Sequence, residues 1–170
     1  MKRVLLLTGK PGTGKTSLIK AAIVGLKDAG GFYTEEIRSP ETRLGFRLIT
    51  LSGESGVLAH VKIKSPYRVG KYGVDISVLE NLGVKAVSRA ISESNLIVID
   101  EIGKMELFSD QFREAVLRAV QSGKKVLATI MLSSNPFADA LKRREEVDLV
   151  PVTRANNERV LGEIREWLKG

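Results

Sequence analysis

Apolar residues follow two rhythms along this chain. Val4–Leu7, Leu96–Ile99 and Val126–Met131 are near-continuous apolar runs of strand length without inside–outside alternation, so they predict strands covered on both faces. Elsewhere apolar positions recur every three or four residues, which predicts helices with one buried face. The sets are Leu18, Ile19, Ala22, Ile23 and Leu26, then Phe112, Ala115, Val116, Ala119 and Val120, and last Val160, Leu161, Ile164, Trp167 and Leu168. Punctuating residues set the expected boundaries. Gly30-Gly31 is expected to stop the first helix, and Asp75 to cap a helical region that continues to about Ser92, with Gly83 as a candidate break. Ser109 caps the next helix and Gly123 ends it, while Asn135-Pro136 starts a short helix before a last strand, Val147 to Val152.

Between the first and second helical regions the pattern changes. Phe32–Arg38, Leu44–Leu51 and Gly56–Lys62 read as strands joined by turns too short for a crossover helix, so they are expected to pair antiparallel. The segment Lys64 to Gly73 is basic, glycine-bearing and irregular. From Leu96 onward strands and helices alternate, as in a parallel sheet with helices on both faces. The expected architecture is therefore α/β, a mainly parallel central sheet with an antiparallel meander after the first helix. Residues 1–170 are expected to form a single domain, with an insert-like β-meander and basic loop at about 32–73. Neither an internal repeat nor a low-complexity tract is visible.

Composition narrows the function classes. The 170 residues are 43% hydrophobic and 28% charged, ordinary for a globular domain, and include no cysteine and one histidine, His60. That excludes a disulfide framework and a Cys/His zinc site. Met1-Lys2-Arg3 followed by Val4–Leu7 is too short for a signal peptide, and no stretch approaches the roughly 20 apolar residues of a membrane span, so a cytoplasmic protein without a membrane partner is expected. The formal charge of +7 and pI near 9.7 raise nucleic acid as a partner. Lysine and arginine are dispersed, however, and aromatics are only 5%, so stacking platforms are scarce. A Lys/Arg/Glu-rich surface of the kind common in thermophiles is the preferred account, with nucleic acid not favoured. No sequence feature speaks to oligomeric state.

The chemistry concentrates at two places. Gly9-Lys10-Pro11-Gly12-Thr13-Gly14-Lys15-Thr16 is a complete G-x-x-x-x-G-K-[ST] phosphate loop, set between a strand and a helix as its mechanics require. Its glycines let the backbone curl around an anion, and its N–H groups face the phosphates at the helix N-terminus. Lys15 would reach the β- and γ-phosphates, and the Thr16 hydroxyl would hold Mg²⁺. The second place is the end of the Leu96–Ile99 run. Asp100 there reads as the Walker B carboxylate that holds Mg²⁺ through its water shell beside Thr16. Glu101 would face the space beyond the γ-phosphate and accept a proton from, or orient, an attacking water.

Asp100-Glu101-Ile102-Gly103-Lys104-Met105-Glu106-Leu107 resembles the signature of the THEP-type nucleoside-triphosphatases, the P-loop family of the cancer-related nucleoside triphosphatase. Gly31–Arg38, Arg68–Tyr72 and the placing of the phosphate loop resemble that family too, so the likeness spans essentially the whole chain. It implies a RecA-like core with an additional central strand and a catalytic glutamate. It also implies Mg²⁺-dependent hydrolysis of several nucleoside triphosphates to diphosphate and phosphate. By position it implies a nucleotide site of Gly9 to Thr16 plus Leu96, Ile97, Val98, Ile99, Asp100, Glu101, Ile102 and Gly103.

Lesser candidates remain. Thr129, the one polar residue of its strand, resembles a γ-phosphate sensor but is also a good strand former. Lys104 reads as a solvated loop residue, Glu35 and Glu36 as water-positioning or solvated, and His60 as a sheet or surface histidine. Arg68 lies in a segment without an acidic residue from Lys62 to Lys71 and is the candidate arginine finger, in competition with Arg38, Arg143 and Arg144. No N-K-x-D motif reads guanine, so ATP, GTP, CTP and UTP are all expected substrates. The alternatives are a small nucleotide or metabolite kinase with residues 62–72 as lid, and a slow nucleotide-dependent nucleic-acid-binding switch.

Overall fold

A computed structural model describes residues 1–170. In chain order, Val4–Thr8 (β1) leads through the phosphate loop into Lys15–Ile23 (α1), followed by Ala29–Arg38 (β2), Arg43–Thr50 (β3), Ser55–His60 (β4), Arg68–Val69 (β5) and Tyr72–Val74 (β6). Ile76–Val78 (α2) continues through a π-helical stretch, Leu79–Val84, into Lys85–Glu93 (α3). Leu96–Ile102 (β7), a 3₁₀ turn at Glu106–Phe108, Asp110–Gln121 (α4), Lys125–Ile130 (β8), Pro136–Lys142 (α5), Val147–Pro151 (β9) and Asn157–Lys169 (α6) complete the chain.

All nine strands join one sheet in the order β5-β6-β4-β3-β2-β7-β8-β1-β9. Pairings from β2 to β9 are parallel, and those from β2 to β5 are antiparallel. The meander is therefore continuous with the parallel strands, and β2 is the join. Its first residues, Ala29–Phe32, pair with Leu96–Ile99, and from Phe32 onward it pairs with β3.

Alternation along β1 explains the two layers. Val4 and Leu6 face a core with Phe112 and Val116 of α4, Val87 and Ala90 of α3, and Leu141 of α5. Leu5 and Leu7 face the other core, with Leu18 and Ile19 of α1 and Val160, Ile164 and Trp167 of α6. Both faces of the parallel strands are covered, as their unbroken apolar runs require. No helix is long and apolar enough to cross a membrane.

The expected caps are in place. Asp75 accepts from the Ser77 and Val78 N–H groups, Ser109 from Phe112 and Asn135 from Phe137 and Ala138. The region after Asp75 does not break at Gly83; the π-helical stretch carries the chain through it. Gly30-Gly31 is not a helix stop. Helix α1 ends seven residues earlier, at Ile23, and the two glycines lie inside β2. Their reason is tertiary: a Cβ on Gly30 would sit 2.7 Å from Ala90 Cβ, and one on Gly31, at φ +108°, 2.0 Å from the Val98 carbonyl oxygen.

Candidate active site

The carboxyl ends of β1, β7 and β8 bring the two chemical segments together. With no ligand in the loop, Lys15 Nζ donates to the carbonyls of Gly9 at 2.8 Å and Lys10 at 3.1 Å. Thr13 Oγ1 also donates to Lys10 O, and the first α1 hydrogen bond runs from Leu18 N to Gly14 O. The ammonium is thus inside the curl of the loop, next to backbone N–H groups that can take an anion.

Asp100, 2% exposed at the end of β7, is fixed on three sides. Thr129 Oγ1 of β8 donates to one carboxylate oxygen at 2.6 Å, while Thr16 Oγ1 at 2.9 Å and the Thr34 N–H at 3.3 Å reach the other. Burial raises its proton affinity, and the hydroxyls, the Thr34 N–H and Lys15 oppose that rise. The pairing of a hydroxyl with a carboxylate suits a hard cation such as Mg²⁺. Both carboxylate oxygens already accept hydrogen bonds, so Asp100 fits a cation held through its water shell better than one bound directly.

Glu101 follows across a cis peptide bond. Its carboxylate is partly buried and no hydrogen bond holds it. Burial first and Asp100 second raise its proton affinity, and Lys15 lowers it. A partly desolvated carboxylate next to an anion site can act as a proton acceptor.

Two residues the sequence reading passed over brace the phosphate loop from β9 and α6. Asn157 Nδ2 donates to Thr13 O at 2.7 Å, and Arg154 Nε to Gly12 O at 3.4 Å. The extension of β9 is zipped to β1 by the Val152 N–H to Thr8 O bond, 2.7 Å long. Their sequence signal, an Asn-Asn pair opening a helix, reads only as an ordinary cap.

The fold places the remaining candidates one by one. Leu96, Ile97, Val98, Ile99 and Ile102 are buried in the sheet between the helix layers, so they carry Asp100 and Glu101 to the site without lining it. Thr129 differs from a γ-phosphate sensor because its hydroxyl donates to Asp100. Arg68 is not brought to the loop. It lies on β5, the edge strand, with six strands between it and β1, and donates to the carbonyls of Ile63 at 3.1 Å and Lys71 at 2.9 Å. Glu35 pairs with Lys20 at 2.6 Å, and Glu36 lies between Arg38 and Arg43. Lys104 is exposed, and His60 ends β4, where Nδ1 accepts the Lys62 N–H.

A family model described as NTPase matches residues 4–165. The chain belongs to this family. The nucleoside-triphosphatase THEP1 of Thermotoga maritima is 50% identical over 165 residues, 97% of this chain and 95% of that one. The cancer-related nucleoside-triphosphatase of Homo sapiens is 40% identical over 181 residues, 96% and 95% of the two chains. The crystal structure of THEP1 from Aquifex aeolicus superposes with a TM-score of 0.91 at 36% identity, covering 98% of this chain and 99% of that one. The mixed sheet with helices on both faces is thus the P-loop fold of THEP-type nucleoside-triphosphatases, and the resemblance carried by Asp100–Leu107 extends to the whole architecture.

Proposed function

We propose that this THEP-type nucleoside-triphosphatase hydrolyses ATP, GTP, CTP and UTP to the diphosphate and phosphate, with Mg²⁺ and with Glu101 as the group that positions water. The observation that carries this reading is the Glu101 carboxylate, free of hydrogen bonds and within the electrostatic reach of both Lys15 and Asp100. The phosphate-loop N–H groups and Lys15 bind the β- and γ-phosphates, Lys15 exchanging its two loop carbonyls for phosphate oxygens. Thr16 and Asp100 would hold Mg²⁺, which would supply positive charge to offset that of the phosphate oxygens. A water aligned by Glu101 attacks the γ-phosphorus. Its oxygen bonds to phosphorus, the bond to the β–γ bridging oxygen breaks, and the water's proton passes to Glu101. The diphosphate leaves with the electron pair.

Recognition in this reading goes to phosphates and cation, which supports acceptance of all four bases. One base contact more or less is worth only about 1–3 kcal/mol. The test is phosphate release from each triphosphate, with and without Mg²⁺, with kinase acceptors or nucleic acid added. We expect acceptor-independent release from all four, at rates within about two orders of magnitude, and a fall in kcat of roughly 10²–10⁴-fold in Glu101→Gln with nucleotide binding kept. Release that needs an acceptor would make the chain a kinase, and undiminished turnover in Glu101→Gln would remove the glutamate from the mechanism.

A further inference from the structure

Beyond β7 the chain makes a tight 3₁₀ turn, and its first residue, Glu106, is a carboxyl group only 4% exposed to solvent. The reaction described above gives it no part. A buried carboxyl group is costly, and a leucine would fill such a place without that cost. Its contacts are specific. Glu106 Oε1 accepts the Gly103 N–H at 3.1 Å, and the Gly103 carbonyl accepts the Leu107 N–H at 2.9 Å. Both backbone polar groups of Gly103 are therefore held by the turn that Glu106 opens.

Gly103 in turn is the floor under Glu101. A Cβ built on it would lie 2.6 Å from Glu101 Oε1 and 3.1 Å from Glu101 Cδ, so the carboxylate rests directly against the bare Gly103 backbone. No hydrogen bond fixes Glu101 from any other side. The position of the Gly103 backbone is what limits where the Glu101 carboxylate can stand.

We propose that Glu106 is a positioning residue for hydrolysis: by accepting the Gly103 N–H it fixes the backbone against which Glu101 rests, and so aims the Glu101 carboxylate at the attacking water. This rests on the reading of Glu101 as the water-positioning group. The electrostatics agree with it. Burial first, with Glu101 and Asp100 adding to it, pushes Glu106 well above the usual carboxylate range, which favours its uncharged form beside Glu101. An uncharged acceptor of the same shape, the glutamine amide, can therefore replace it.

The experiment measures kcat and KM for ATP with Mg²⁺ in Glu106→Ala, Glu106→Gln and Gly103→Ala, each alone and combined with Glu101→Gln. Misplacing a reacting group by about 1 Å costs on the order of 10²-fold. Glu106→Ala and Gly103→Ala are expected to lose roughly 10–100-fold in kcat with KM changed less than about threefold, and Glu106→Gln to recover most of that loss. On the Glu101→Gln background neither alanine variant should lower the residual rate further, because the group being aimed is already disabled. An equal further loss on that background, or a Glu106→Gln as slow as Glu106→Ala, would overturn the proposal and make Glu106 a general support of the fold. Should Glu106→Ala not fold, Glu106→Met, which fills the buried place but cannot accept the Gly103 N–H, completes the same cycle. Failure of the underlying reading looks different: Glu101→Gln itself would then turn over normally.

Discussion

In the antiparallel half of the sheet, charged side chains close on one another or on backbone. Glu36 is held between Arg38 and Arg43, Arg43 also donates to Tyr72, and Arg68 is tied to two carbonyls of its own hairpin. At the phosphate-loop end of the parallel half the arrangement differs. Lys15 is curled onto loop carbonyls without a carboxylate partner, Glu101 has no hydrogen bond, and Asp100 is gripped by neutral hydroxyls and an N–H. Exposed ion pairs are worth little, about 0–1 kcal/mol, so the first half uses charge as interchangeable surface. Charges held near each other without mutual pairing keep their field for a ligand, which is why perturbed groups gather at functional sites. Basic residues abound in both halves, and only their local partners separate the two uses.

The largest effect expected from breaking this contrast is in Lys15→Ala. Phosphate release should fall below detection and triphosphate affinity should drop in a fluorescent-nucleotide titration, because Lys15 alone carries its ammonium into the curl of the loop, the other loop lysine, Lys10, being exposed. Retained turnover would mean that the parallel half does not hold the reaction.

Glu106 sharpens the comparison at intermediate size, through stability. Its carboxyl is shifted up from an ordinary value of 4.5, so the folded chain keeps a proton that the unfolded chain releases. The sign follows from linkage: stability is lost as pH rises from the unfolded value through the raised folded one. Glu106→Gln has no proton to lose, so its Tm should exceed that of the parent by a margin that widens as pH rises above the ordinary value of 4.5. Each kcal/mol of difference corresponds to roughly 2–4 °C at this chain length. A gap independent of pH would show that burying this acid costs the fold nothing. Asp100 belongs to the same electrostatic group but is opposed by several donors, which is why Glu106 is the better probe.

The smallest effect is expected in the antiparallel half. Arg68→Ala should leave kcat within about twofold and cost no more than about 1 kcal/mol of stability in urea unfolding, the usual worth of solvent-exposed hydrogen bonds. A large fall in kcat with unchanged affinity would instead bring Arg68 to the transition state and make the hairpin a moving part.

What could be read from the sequence was what depends on near neighbours. The strand–loop–helix around Gly9–Thr16, the caps at Asp75, Ser109 and Asn135, the apolar helix faces and the Asp100-Glu101 strand end all follow from spacing within a few residues. Misreadings came where the reason lies in packing across the fold or in a backbone contact that residue type does not announce. Gly30 and Gly31 look like a helix stop, yet what excludes a side chain there is Ala90 and the Val98 backbone. Arg68 lacks acidic neighbours in sequence, but backbone carbonyls need no charge to satisfy a guanidinium. Glu106 carries no local mark of burial, since only the turn back onto Gly103 puts it there, and the grip of Asn157 on Thr13 spans most of the chain.

Strand β2 has a kinetic consequence. Its antiparallel partners are close in sequence, so the hairpins between Ala29 and His60 can zip with short loop closures. Its parallel partner starts only at Leu96, and β1, which carries the phosphate loop, must wait for Val126 on one side and Val147 on the other. Contacts this distant form slowly. During synthesis the meander can be complete and stand as an edge template while the nucleotide site still lacks its last strand, so the loop that grips phosphate becomes competent only once β9 has left the ribosome.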